Sequence, residues 1–336
     1  MRYLLIMTTL FLLISCTQTT QEATYVEGKA FGTTYHIQYY SQENFEAQKG
    51  IDSVVEAVNQ SVSTYIPNSD ISKINEGDSN IIIDKIFRDV FVLSEKIHKQ
   101  TNGYFDPTIG VLRNAYGFGE AKPLQKIDST TLDSLMEYVG FDKVILTSEN
   151  TIQKKHPQVY FDFNAIAKGY GIDLIGNYLE QNGITDYLIE LGGEILTKGT
   201  NLSKQKPWTV GVESVNSDID DRSYAETVSL TNRAMASSGN YRKFRVDSLT
   251  GKKYVHTINP LTGKAEQSDV TSATVIANTC AEADAYATSF MALGLDKSKK
   301  ILKELSNVEA YLTYTDSLNQ QKEFLTRGMQ SKTSEN

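Results

Sequence analysis

The segment Cys280-Ala281-Glu282-Ala283-Asp284-Ala285-Tyr286-Ala287-Thr288, continuing through Phe290 and Met291, constrains the fold more than any other part of this chain. A helix through it is small and apolar on nearly every side, and such a helix has to lie inside the protein. Asp284 and Thr288 stand four apart in it, on one helical face. A buried carboxylate needs a partner or a metal. With a backbone carbonyl from a nearby turn, this carboxylate and hydroxyl make the all-oxygen donor set that suits a hard divalent cation. The competing reading is a solvated helix face, against which the apolar surroundings count.

The turn that could supply the carbonyl is Phe161-Asp162-Phe163-Asn164-Ala165-Ile166-Ala167-Lys168-Gly169, which reads as a short strand breaking into a helix. Helix N-termini collect phosphates through their free N–H groups and dipole, and Lys168 would add a positive charge to the same place. Gly169 and Gly171 let the backbone pack closely. The simpler reading of Asp162 and Lys168 is a local ion pair or a helix cap.

Two further stretches carry chemistry. Thr101 to Pro107, followed by Ala115-Tyr116-Gly117-Phe118-Gly119, predicts a long loop whose aromatics between glycines offer a stacking surface for a planar ring. Among only four histidines, His256 precedes the turn Asn259-Pro260 and is displayed there, with an intrinsic pKa suited to a general base. His36, His98 and His156 read as structural. Ser237-Ser238-Gly239-Asn240 lacks the Gly-x-Ser-x-Gly elbow of a serine hydrolase. No Walker loop and no Gly-x-Gly-x-x-Gly after a strand is present.

Strand-like and helical patterns are interspersed without regular alternation, which predicts an α+β fold with mixed or antiparallel sheets and packed helices. Helices are expected over Ile51 to Val62, from Asp84 to Asn102-Gly103, over Leu132 to Val139, and from the Ala-rich turn to Gly183. Strands are expected within Tyr25 to Tyr40, at Val159 to Phe161, at Tyr187 to Leu191, and around Trp208, Glu226, Lys253, Thr271 and Ala310.

The N-terminus carries Arg2, an apolar run from Leu4 to Ile14, and then Leu13-Ile14-Ser15-Cys16 ahead of a polar segment. The run is too short to span a bilayer and has the form of a signal peptide over 1–15. Leu-Ile-Ser-Cys resembles a bacterial lipobox, which predicts lipidation of Cys16 and a polar tether over 16–23. The alternative is an ordinary secretory signal with a chance cysteine. Cys280 is the one other cysteine, so no internal disulfide is available, and it reads as a buried apolar residue. Losing 1–15 removes one base and no acid, moving the formal charge from −8 to −9. No basic patch exists, so nucleic acid is excluded as a partner. The mature chain, about 320 residues, is long enough for a large core, and 327–336 reads as a polar tail.

Taken in order, nine segments resemble the FAD:protein FMN transferase (ApbE) family. They are Gly28 to Thr33, Ser63-Thr64-Tyr65 with Ser69 to Asn75, Gly103 to Gly110, Tyr116 to Gly119, Asp162 to Gly169, Glu190 to Glu194, Ser237 to Gly239, His256 to Pro260, and Asp284 to Thr288. The resemblance spans nearly the whole mature chain. It implies one transferase domain over 24–326 with a T-fold-like architecture. It implies that FAD is the substrate, that FMN passes through a phosphoester bond to a threonine hydroxyl of an acceptor protein, and that AMP leaves.

By position in those motifs, Mg2+ would be held by the Ala165 carbonyl, Asp284 and Thr288. FAD contacts would fall at Phe31, Tyr65, Tyr116, Gly117, Phe118, Asp162, Lys168, Ile258 and Ala287. His256 would activate the acceptor hydroxyl, and Asp284 would be essential to turnover. Phe31 departs from the pattern, since many relatives carry methionine there. The implied setting is the bacterial cell envelope, lipid-anchored to a membrane and facing the periplasm. The implied partners are flavoprotein subunits of membrane redox complexes, of NADH:quinone reductase or Rnf type, or other extracytoplasmic flavoproteins. Two other readings fit the same motifs: an FAD pyrophosphatase yielding FMN and AMP, and an FAD-binding carrier lipoprotein.

Overall fold

The computed structural model describes residues 22–42, 45–214, 223–240, 244–246, 251 and 253–333. The expected signal segment, Cys16 and most of the tether lie outside the described residues, as do 334–336. Period-two burial starts at once in β1 (Thr24–Ala30) and β2 (Thr33–Tyr39), a hairpin in which Ile37 faces the core and His36 faces out. Phe31 and Gly32 form its two-residue turn with φ of 50° and 79°, the positive-φ geometry whose twist matches that of the strands. A bulky Phe is an uncommon choice at such a φ.

Five helices follow: α1 (Gln48–Val62), α2 (Asp70–Glu76), α3 (Lys85–Gln100), α4 (Gly110–Tyr116) and α5 (Ser129–Met136). Asp84 caps α3 by accepting from Phe87 N at 2.8 Å, and the helix ends at Asn102-Gly103, both at positive φ, as the sequence predicts. A small hairpin, β3 (Val144–Leu146) and β4 (Ile152–Lys154), precedes α6 (Ala167–Gln181), β5 (Tyr187–Leu191) and β6 (Glu194–Lys198). The hairpin β7 (Trp208–Glu213) and β8 (Tyr224–Leu230) is followed by β9 (Ala234–Gly239), and β10 (Phe244–Val246) pairs with β11 (Lys253–Val255). The chain closes with β12 (Val270–Ala277), α7 (Cys280–Leu293), α8 (Leu295–Glu304), β13 (Glu309–Thr315), β14 (Gln321–Leu325) and α9 (Arg327–Gln330).

One eight-stranded sheet runs β1-β2-β5-β6-β9-β12-β13-β14, and every neighbouring pair is antiparallel. The α+β expectation is therefore met. Alternation along the strands sorts the two faces. Leu196, Ala236, Val275 and Leu312 pack with the helices, whereas Ile195, Met235, Ile276 and Tyr311 pack with β7, β8 and Met329. The sheet is thus a middle layer, with helices on one side and a hairpin on the other.

The helix layer is keyed by the crossing of α6 and α7. A Cβ on Gly169 would stand 2.4 Å from the Cys280 carbonyl oxygen, so only glycine lets the two backbones come this close. One turn further on, the half-buried Asp173 accepts from Cys280 N at 2.7 Å and from Ala281 N at 2.9 Å. Thr279 accepts from Glu282 N, so most of the free N–H groups at the start of α7 are satisfied by side chains.

Several local expectations are corrected. Val159 to Phe161 is not a strand but a single parallel bridge, Tyr160 with Ile109. The Asn75 side chain takes the place of a strand partner, donating to Phe161 O and accepting from Phe161 N at 2.9 and 2.7 Å. The supposed loop through Tyr116 contains α4, with Leu112 and Tyr116 buried one turn apart. The supposed tail begins as α9, whose Met329 is fully buried under the hairpin face, and Lys332 O accepts from Ser229 N.

Burial pushes the Asp173 carboxyl from 3.8 up to about 7, against the pull of its two N–H donors. A raised folded value means that the folded state holds the proton more tightly. The contribution of this group is then full below pH 3.8 and is lost as pH rises through about 7. Relative to Asp173→Asn, which does not titrate, wild-type unfolding free energy should fall by about 1 kcal/mol per pH unit across that window. Urea denaturation at stepped pH reads the difference.

Candidate active site

A cavity of about 970 Å³ opens where the first turn of α6, the middle of α7, the ends of β6 and β9, and the turn after β11 converge. Eight residues expected to act together line it: Phe118, Asp162, Ala165, Lys168, His256, Ile258, Asp284 and Thr288. The rest of the expected set surrounds it. Tyr65 is half-exposed and reaches the wall by accepting a hydrogen bond from Arg113 Nη2 at 2.9 Å. Tyr116 is buried behind Phe118, and Gly117 holds the left-handed conformation that ends α4. Ala287 is fully buried beside Thr288, and Phe31 packs across α6 at Gly171.

Asp284 sits on α7 with its carboxylate buried, accepting from Gly169 N at 3.3 Å, a long bond for so costly a group. Burial raises its pKa, and Lys168 and the Gly169 N–H act in the opposite direction. Thr288, one turn on, has its hydroxyl 3.3 Å from Ser238 Oγ on β9. Among the described residues no three His, Cys, Asp or Glu side chains cluster as a metal site. Any cation here would depend on mixed oxygen donors, and the Asp284 carboxylate with its long backbone bond, the Thr288 hydroxyl and the Ala165 segment share one wall. That donor chemistry fits a hard cation such as Mg2+.

Lys168, in the first turn of α6, places Nζ 2.6 Å from Glu194 Oε2. Burial works against its ammonium, but Glu194 and then Asp284 outweigh that, and its pKa rises. Burial likewise raises Glu194, which Lys168 opposes. Asp162 does not pair with Lys168, contrary to the simplest sequence reading. Its Oδ2 takes the Arg113 guanidinium, while Oδ1 accepts from Asn164 N at 2.9 Å and from Asn164 Nδ2 at 2.7 Å, fixing the turn. His256 follows the end of β11, and the next residue, Thr257, donates to Asn240 Oδ1 at 3.0 Å, tying this turn to the end of β9.

Arg113 and the pairing role of Glu194 were not visible in the sequence. Arg113 contacts residues 48 and 49 positions away, so no local spacing announces it. A lone base inside an aromatic, glycine-rich segment was the only signal.

Two buried acids about a half-buried lysine on the wall of a large cavity, with a histidine in the same wall, have the make-up of an enzyme active site. Residues 31–312 match the profile of the ApbE family. The FAD:protein FMN transferase of Haemophilus influenzae is 34% identical over 299 residues, 85% of each chain. That of Vibrio cholerae is 33% identical over 306 residues, covering 89% of this chain and 90% of its own. The solved flavin transferase ApbE from Vibrio cholerae superposes with a TM-score of 0.82 at 30% identity, over 93% of this chain and 99% of its own. The chain belongs to the ApbE family and is a transferase.

Arg113→Ala should leave Asp162 buried without its cation. An uncompensated buried charge costs about 3 kcal/mol or more, so the unfolding midpoint in urea should drop clearly, whereas Arg113→Lys should recover part of the loss.

Proposed function

We propose that this protein transfers FMN from FAD to a threonine hydroxyl of an acceptor protein, releasing AMP, with Mg2+ held by the Ala165 carbonyl, Asp284 and Thr288. The observation that carries this is the convergence of Ala165, Lys168, Asp284, Thr288 and His256 on one cavity. The names of the relatives support the flavin chemistry.

Attack on a diphosphate brings an oxygen nucleophile toward an anion, so charge neutralisation and alignment dominate the barrier. When bound, Mg2+ supplies Lewis-acid polarisation of the phosphate oxygens. The threonine Oγ bonds to the FMN phosphorus, the bond from that phosphorus to the bridging oxygen breaks, and AMP carries that oxygen away. His256 accepts the threonine proton. Lys168 and the α6 N-terminus support the phosphates. The α4 segment with Phe118 and Arg113, together with Ile258, forms the apolar and stacking part of the wall.

The proposal extends to a cell-envelope setting: the Leu13 to Cys16 sequence supports lipid attachment at Cys16, and the family resemblance supports a domain facing the periplasm with acceptors among subunits of membrane redox complexes or other extracytoplasmic flavoproteins. Among the described residues no helix is long and apolar enough to cross a membrane.

Incubating the chain beginning after Cys16 with FAD, Mg2+ and an acceptor bearing the target threonine should give a fluorescent acceptor band that survives denaturation. No band with a competent acceptor contradicts the proposal. FMN and AMP released equally fast without acceptor would mark a hydrolase instead, and neither product a carrier. Asp284→Ala should abolish turnover. His256→Ala should keep FAD affinity within about threefold while transfer falls about 10²-fold or more, and lost FAD binding in the folded variant would make the histidine's role one of binding.

A further inference from the structure

The magnesium reading leaves Glu194, a buried acid on the cavity wall, without a task. Glu194 opens β6 directly after the turn Gly192-Gly193, both at positive φ, which folds β6 tightly back on β5. Two residues on, Leu196 belongs to the helix-facing core, so Glu194 points to the helix layer as well. It arrives beneath the first turn of α6. A carboxylate on this face is no help to packing, because apolar residues in place of a buried ion pair are commonly neutral or stabilising.

Two acids surround one ammonium here. Asp284 accepts the N–H of Gly169, the residue after Lys168, so it lies against the same turn as the lysine. Yet the Lys168 ammonium lies 2.6 Å from Glu194, and among the described residues no ion pair within 4.0 Å joins it to Asp284. Among the described residues Asp284 keeps one long backbone bond. A cation-binding carboxylate beside a half-buried lysine has an obvious competitor, and the sheet supplies the means of occupying it.

We propose that Glu194 is a positioning residue for the cation site: it pairs with Lys168 and balances its charge, and so keeps Asp284 open to the divalent ion. Without it, the ammonium turns to the remaining buried carboxylate and competes with the cation. This rests on the proposed magnesium site, and its test reads cation binding as well as turnover. Lys168 keeps its own role toward phosphate.

The probe is Mn2+, titrated into the purified protein without FAD, with the free ion followed by its EPR signal. Wild type should bind one ion. Glu194→Gln, folded by circular dichroism, should bind at least tenfold more weakly, and Glu194→Gln with Lys168→Met should return to within about threefold of wild type, since the competing charge is gone. Lys168→Met alone should bind at least as tightly as wild type. An unchanged Glu194→Gln, or a double variant as weak as the single, overturns the proposal while leaving the cation site standing. A wild type that binds no ion removes the site and the proposal together. Should Glu194→Gln fail to fold, the double variant decides: wild-type affinity upholds the pairing and a tenfold loss overturns it.

Discussion

The close crossing of α6 and α7 is the constraint on which the site depends. Gly169 admits the Cys280 carbonyl where any side chain would collide, and Asp173 fastens the start of α7 with two backbone bonds. From that fixed contact, one turn along α7 brings Asp284 to the first turn of α6 and the next brings Thr288 to the cavity wall. The crossing places three acids, Asp173, Glu194 and Asp284, within one electrostatic neighbourhood, with Lys168 as the balancing cation. Such an arrangement is unfavourable unless every charge has an assigned partner. Backbone N–H groups serve Asp173, Glu194 pairs with the ammonium, and Asp284 keeps one long backbone bond among the described residues.

The eight-stranded sheet gives this crossing a rigid floor. β6 presents Glu194 and β9 presents Ser238 toward the helices, and the opposite face is sealed by β7, β8 and Met329. The variable chemistry comes from segments outside the sheet, namely α4 with Arg113 and Phe118, and the turn after β11 with His256. Rigid strands hold the charged groups, while irregular segments bring the groups that meet the rest of a ligand.

Residues whose character is set locally were legible in the sequence. The buried nature of α7 followed from its alanines, the caps of α3 from Asp84 and Asn102-Gly103, and the joint placement of Asp284 and Thr288 from their spacing. Residues defined by distant partners were not. Asn75 substitutes for a strand at Phe161, Arg113 claims the aspartate expected to face Lys168, and Glu194 claims the lysine. β6 and β9 escaped notice because Gly192-Gly193 reads as a break and Ala234 to Gly239 has little strand propensity, yet both are central strands. The α9 turn hides its single buried Met329 among polar neighbours.

The central claim is that Asp284, Thr288 and the Ala165 carbonyl form one cation site against the diphosphate of FAD. Anomalous diffraction from crystals grown with FAD and Mn2+ in place of Mg2+ tests it most directly. The account predicts one peak, about 2.0–2.3 Å from oxygens of all three residues and of the diphosphate. A diphosphate bound in the cavity with no metal peak there, or with the peak on other residues, would contradict it.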